Sequence, residues 1–377
     1  MLTLFRIATD VAALKADGGK LPMPASPASS CRLATGRSAL LHLIKRLPRQ
    51  HARTVLLPCY VAEGVIEPFL RSEFTIRFYR LRADLTPIPE DIAALLDQTS
   101  DVAVVVLVHY FGFSARSVEL DTMLKRHSPI VVDDFAHAPF ARTASGQAAV
   151  DNTQVALFSL NKFLPVADGA ILCSNRSDID VSLDDRTLVE LPNHVQQAYL
   201  DHLQAARDLF ESNDSARARI LLGNLGASYE RYYAFINSDL RPFRQSAHSR
   251  SVEDAFPLAD MIERRSINAR ILYQELDNPI FSLVHETLPP TVVPFCIPAR
   301  VSRQSRAQLI DRLFEQGVLL STLQEKWNFI PADQRARYSV EAAFLDQHVL
   351  IPASEFITVD SMREMVARLN SIKWDFA

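Results

Sequence analysis

The stretch Pro129–Ala138, PIVVDDFAHA, runs three β-branched residues from a proline into two consecutive carboxylates, Asp133 and Asp134. A short apolar run closed by turn-forming residues is the pattern of a strand buried on both faces of a parallel sheet. Val102–Val108 (VAVVVLV) has the same character between Asp101 and His109, and Val155–Ser159 and Gly169–Ser174 are two further candidates. Thr54–Leu57 and Phe74–Tyr79 read as shorter strands. Helical spacing separates them at Leu40–Leu47, Val61–Ser72, Pro87–Leu96 and Val118–Arg126. Strands alternating with helices of about ten residues predict α/β units around a mainly parallel sheet. Ligands of such sheets bind in the crevice beyond the carboxyl ends of the strands, where Asp134 falls.

Beyond Asn175 the pattern changes. Residues 194–275 are mostly helical in spacing. The chain then alternates strand-like Thr291–Ile297, helix-like Arg303–Gln316, strand-like Gln347–Ile351 and helix-like Ser361–Leu369. Leu21–Ser30 (LPMPASPASS) reads as a loop. The expected organisation is an N-terminal segment 1–30, a large α/β domain 31–240 with a helical extension, and a small α+β domain 241–377.

The 377 residues are 48% hydrophobic and 22% charged, with a formal net charge of -4. This is ordinary globular usage, and it provides no general attraction to nucleic acid or an anionic membrane surface. Cys31, Cys59, Cys173 and Cys296 have no paired spacing, which disfavours a metal or redox centre. No apolar run has the length of a membrane span, and the first residues lack the pattern of a secretory signal. A cytoplasmic protein is expected, with no metal, nucleic-acid or membrane partner.

Lys162 stands in the run Phe158–Pro165 (FSLNKFLP), just beyond a strand candidate. Hemmed by apolar residues it is partly desolvated, and a neutral amine is what Schiff-base chemistry requires. A lone lysine here would more simply snorkel to solvent, and a lone aspartate would cap a turn. Order and spacing give the pair more weight. A pyridoxal-phosphate site needs an acid at the pyridine nitrogen, a lysine, a stacking aromatic and donors for the phosphate. The chain offers Gly36-Arg37-Ser38 opening a helix, then Tyr60, Asp134, Ser159 and Lys162. Helix N-termini hold phosphate through free backbone amides.

At these residues the chain resembles the DegT/StrS-type sugar aminotransferases, fold-type-I pyridoxal-phosphate enzymes. The family's helix-start motif is similar to Thr35-Gly36-Arg37-Ser38-Ala39-Leu40, and its proline-ended strand to Leu57-Pro58-Cys59-Tyr60-Val61-Ala62. Val108-His109-Tyr110-Phe111-Gly112 resembles the strand end before the acid motif. That motif corresponds to Asp133-Asp134-Phe135-Ala136-His137-Ala138. The lysine motif matches Phe158–Lys162, with Asp168-Gly169-Ala170 where a Gly-Gly turn is usual. The match is good over residues 30–175 and only general beyond them; the family's Gly-Asn-x-Arg segment has no clear counterpart in residues 180–250.

The resemblance implies a fold-type-I architecture, pyridoxal 5'-phosphate as cofactor, and a homodimer. It implies Lys162 as the catalytic residue that carries the cofactor, Asp134 at the pyridine nitrogen, and Tyr60 stacked on the ring. His137 would lie near the ring, with Gly36, Arg37, Ser38 and Ser159 around the phosphate. For Tyr60 and His137 a place in the core competes with these roles. For Trp327 the core is the preferred place over a position at the substrate entrance. The implied activity is transfer of an amino group from an amino acid to a keto-sugar, nucleotide-linked, in polysaccharide or secondary metabolism. Lyase or dehydratase chemistry is the alternative, although related dehydratases carry histidine in place of Lys162. A catalytically degenerate binding protein on the same fold is the third reading.

Overall fold

A computed structural model describes residues 21, 23–24, 26–48, 53–143, 145–212 and 214–373. Most of the segment 1–30, including the residues read for a signal sequence, lies outside these.

The first half alternates strand and helix: β1 (Ser29–Leu33), α1 (Gly36–Ile44), β2 (Thr54–Pro58), α2 (Glu63–Leu70), β3 (Thr75–Tyr79), α3 (Pro89–Gln98), β4 (Val102–Val108), α4 (Val118–His127), β5 (Ile130–Asp134), β6 (Val155–Ser159) and β7 (Ala170–Ser174). The strands form one seven-stranded sheet in the order β1-β7-β6-β5-β4-β2-β3. β2 pairs in parallel with β3 and β4, and β4, β5 and β6 follow in parallel; β7 runs antiparallel to both of its neighbours. Val104, Val105, Val106 and Leu107 are fully buried, as a central strand covered on both faces requires. Each such side chain contributes roughly 1.5–3 kcal/mol by leaving water. The predicted α/β class is therefore the observed one.

One expectation is corrected at the sheet edge. Ser29 and Ser30, read as the end of a loop, belong to β1, paired with Ser174 and Cys173. Cys31 and Leu33 point into the core while Ser30 and Arg32 do not. So polar a strand is tolerable because it has a neighbour on one side only.

The second half contains α5 (Asn193–Glu211), α6 (Ser215–Ser238), α7 (Ala247–Ala255), α8 (Leu258–Glu275), β8 (Ser282–Leu283), β9 (Ile297–Arg300), α9 (Arg306–Glu315), α10 (Ser339–Gln347), β10 (His348–Ile351) and α11 (Val359–Ser371). β10-β9-β8 form a three-stranded antiparallel sheet. Its own apolar cluster includes Leu272, Ile297, Val349, Met362 and Leu369. Helix α10 had no counterpart in the sequence reading. Among the described residues no helix is long and apolar enough to cross a membrane, and no cluster of three His, Cys, Asp or Glu could hold a metal.

Thr291–Cys296 is not a strand; β9 begins only at Ile297. Pro289, Pro290 and Pro294 cannot donate to a ladder. The segment instead lies against the turn after β4, where Phe295 N–H donates to Phe111 O over 3.1 Å. Gly112 there has φ +107°, and a Cβ on it would stand 2.5 Å from Val293 O. Arg265 of α8 holds the same segment, donating to Pro294 O (3.0 Å) and Phe295 O (3.1 Å). Its guanidinium also pairs with Glu355 at 2.6 Å, with both side chains essentially inaccessible. Replacing Arg265 with Met would leave the Glu355 charge buried alone and is expected to cost about 3–5 kcal/mol. Denaturant unfolding measures this, and adding Glu355→Leu should recover part of the loss. An Arg265→Met variant as stable as wild type would refute the pairing argument.

Candidate active site

The parallel register brings several strand ends to one edge. Asp134 is level with Val108 of β4 and Leu157 of β6. Directly after β6, a single tight turn, Leu160–Lys162, carries Lys162 over the same edge. The N-termini of α1 and α2 open there too. Together they form a cleft partly open to solvent, lined by Gly36, Arg37, Asp134, His137, Ser159 and Lys162 among others. Six of the eight residues selected from sequence thus meet in one cleft, and Ser38 and Tyr60 are outside its lining.

Successive strand residues face opposite sides of a sheet, so Asp133 and Asp134 have separate surroundings. Asp133 is fully buried and claimed by the scaffold. Arg116 donates to both its oxygens (2.8 and 2.7 Å), and His109 Nε2 lies 3.0 Å from Oδ1. Ala115 N–H donates to His109 Nδ1, which leaves the proton on Nε2 to bond Asp133. Burial opposes ionisation of Asp133, but Arg116 and His109 hold its carboxyl below the usual range. Asp134 accepts a 2.9 Å bond from Ala136 N–H. Burial pushes its carboxyl up to about 6, against that bond and the charge of Lys162.

At the start of α1, Thr35 caps the helix by accepting from Ser38 N–H at 3.1 Å. Ser38 Oγ donates to Arg241 O at 2.9 Å and is engaged with Thr35 Oγ1. Its hydroxyl is thus committed to holding the chain together. Arg37 points the other way, into the cleft, with its guanidinium 5.1 Å from the Tyr233 ring centre. Its Nε is buried without a hydrogen-bond partner among the described residues. A Cβ at Gly64 would lie 2.9 Å from Arg37 Cζ, so the glycine makes room for the guanidinium. Ser159 Oγ donates to Asn161 Oδ1 at 3.1 Å, and both residues line the cleft.

Tyr60 is fully buried behind this wall. Its ring centre lies 4.9 Å from those of Trp327 and Phe344 and 5.5 Å from Tyr110. Of the surrounding aromatics, His137 and Trp327 line the cleft. Their centres are 5.3 Å apart, with Phe295 stacked on His137 at 4.6 Å.

The helical extension, to which sequence reading assigned no role, supplies the opposite wall. Tyr229, Tyr232 and Tyr233 of α6 all line the cleft. The hairpin is docked where it matters: Tyr232 donates to Ala167 O (2.8 Å), and Asn237 to Glu63 Oε2 (3.2 Å). Lys326 Nζ sits 5.6 and 5.1 Å from the Tyr229 and Tyr233 ring centres and pairs with Glu230 at 3.0 Å. Burial by itself would raise the Tyr233 phenol. Lys162, Arg37 and Lys326, with a hydrogen bond from Tyr229, outweigh it and bring the phenol down to about 8. The available signal was spacing, because tyrosines three and four apart on a helix share one face.

No family model matches the chain, and neither does any curated protein. Solved structures do. Helicobacter pylori PseC, an aminotransferase involved in the biosynthesis of pseudoaminic acid, is 14% identical with a TM-score of 0.62, covering 90% of this chain and 85% of its own. The sugar aminotransferase CalS13 from Micromonospora echinospora is 16% identical with a TM-score of 0.61, covering 98% and 100%. NtdA from Bacillus subtilis, with bound cofactor PMP, is 11% identical with a TM-score of 0.61, covering 91% and 73%. The likeness establishes a common fold, the fold-type-I architecture expected from the sequence.

Proposed function

We propose that this chain is a pyridoxal-phosphate-dependent aminotransferase that moves an amino group from an amino acid to the carbonyl of a keto-sugar. The observation that carries the reading is that a buried acid, a lysine and an arginine whose buried Nε has no partner among the described residues line one cleft at the sheet edge. The residues fit the cofactor. Asp134 is buried with its carboxyl raised, a cost that a protonated ring nitrogen would remove. Arg37 Nε is buried without a partner beside the free amides of α1, a setting suited to phosphate.

When bound, the cofactor supplies an electron sink for the pair released as a substrate C–H bond breaks. Asp134 would keep the ring nitrogen protonated. Lys162 would hold the cofactor through its amine, and that amine would carry the proton to and from substrate carbon. Gly36, Arg37 and Ser159 would hold the phosphate, with Ser38 fixing the helix start behind them. His137 and Trp327, stacked on one another, would form one wall beside the ring, and Tyr60 buttresses Trp327. The α6 tyrosines shield the lysine from water.

The same reading takes a small-molecule donor and acceptor, a homodimer in the cytoplasm, and polysaccharide or secondary metabolism as the setting. It keeps the division into a segment 1–30, a large domain 31–240 and a small domain 241–377. Its test is the donor half-reaction. Protein loaded with pyridoxal phosphate, mixed with glutamate and other amino acids, should lose its visible cofactor band and yield pyridoxamine phosphate and the matching keto acid. Failure of every amino acid to release a keto acid would remove transamination from the reading.

A further inference from the structure

Beside Lys162 the cleft opens into a second, wider chamber that is partly open to solvent. The two share a wall that includes Asn161, Lys162, Tyr233, Lys326 and Trp327. The far side of the chamber is the α5–α6 hairpin, from which Tyr199, His202, Leu203, Leu222 and Leu225 face inward. Building on the aminotransferase reading, we infer that this chamber is the acceptor pocket and takes an uncharged keto-sugar with an apolar substituent, not a nucleoside-diphosphate sugar.

Charge is the first argument. Among the described residues lining the chamber, the charged side chains are Lys162, Lys326 and Glu230, and His202 is kept neutral by burial. Lys162 is committed to the cofactor once that is bound. Lys326 and Glu230 pair at 3.0 Å and cancel. A diphosphate brings at least two negative charges, which a protein wall holds tightly only where unpaired cations are in place. Among the described residues no arginine lines this chamber, so that charge has no free partner there.

Surface chemistry and helix composition point the same way. Four tyrosines, Trp327, Phe295 and several leucines offer apolar contact, while Ser321, Thr322, Gln324 and, at the Lys162 end, Asn161 offer hydrogen bonds. A hydroxylated ring suits that end and an apolar body the other. Gly223 and Gly226 stand inside the 24-residue helix α6, each at a cost of about 1 kcal/mol relative to alanine. A Cβ on either would meet nothing within 4 Å, so no packing contact requires them. Gly226 is exposed at the edge of the chamber and lines it, so a large side chain there would narrow the opening.

Isothermal titration of the pyridoxal-phosphate-loaded protein with phenyl and octyl glycosides, and separately with uridine and thymidine diphosphates, tests this. The glycosides are expected to bind at least about tenfold more tightly than the diphosphates. Gly226→Trp should weaken them at least about tenfold and leave cofactor uptake intact. If Gly226→Trp does not load cofactor, Gly226→Leu takes its place. Tighter binding of a nucleoside diphosphate, glycoside binding indifferent to residue 226, or binding of neither class would each overturn the inference. The donor half-reaction on the same preparation separates the outcomes. If amino acids transfer their amine while diphosphates bind, the chamber assignment fails and the aminotransferase reading stands.

Discussion

Lys162→Ala is expected to lower amino transfer by about 10⁴-fold, the upper end of what a positioned proton carrier contributes. The fold should survive, because Lys162 ends a single turn whose backbone bond, Phe163 N–H to Leu160 O, does not involve the side chain. Cofactor should no longer stay with the denatured chain after borohydride reduction, whereas wild type keeps it. A second readout needs no cofactor at all. Lys162 is the largest of the charges pulling the Tyr233 phenol down to about 8, so removing it should move that phenol upward. Ultraviolet titration of the tyrosines would register the change. Lys162→Arg keeps the charge without a primary amine, so it should hold the phenol low while remaining inactive. An alanine variant that retained both covalent cofactor and turnover would end the assignment of Lys162.

Asp134 and Lys162 were legible because β-branched runs announce buried strands, and a strand's end fixes where its last residue emerges. Their separation in sequence did not hide them, since parallel pairing sets their relative position. Ser38 and Tyr60 were ambiguous for a physical reason. A serine in the first turn of a helix can face a ligand or bond the chain, and Arg241 O, far along the sequence, claims this one. An aromatic after a proline-ended strand can face a cofactor or pack behind it, and Trp327 and Phe344 take this one into the core. Asp133 illustrates the converse, since period two alone separates it from Asp134 and Arg116 then ties it into the scaffold. The role of α6 depends on how the hairpin docks, through contacts such as Tyr232 to Ala167 O that no local pattern announces. The valines of Thr291–Cys296 suit a strand, but Pro289, Pro290 and Pro294 cannot donate to a ladder, and pairing begins only at Ile297.

Asp134→Asn should stabilise the cofactor-free protein and cripple the enzyme. Asn is isosteric and can still accept from Ala136 N–H, but it carries no charge into the buried site. In the wild type the folded carboxyl titrates at about 6, above its ordinary value of 3.8. The folded state therefore holds its proton over a pH range where the unfolded chain has released it. Stability from this group is complete below about pH 4 and is lost as pH rises through 6. Two units correspond to about 3 kcal/mol, with little solvent screening because Asp134 is only 5% exposed. Cofactor-free Asp134→Asn is accordingly expected to exceed wild type by about 2–3 kcal/mol at pH 7 and to match it near pH 4. Denaturant midpoints across this range measure the difference. Adding pyridoxal phosphate should reverse the order, because ligand binding stabilises in proportion to affinity and only the carboxylate can hold a protonated ring nitrogen. Turnover should fall by about 10²–10³-fold, the scale of one preorganised electrostatic contact. If the cofactor-free variant were no more stable than wild type at pH 7, Asp134 would not be held at a cost. The buried acid would then lose its standing as a carboxylate kept for a cationic partner.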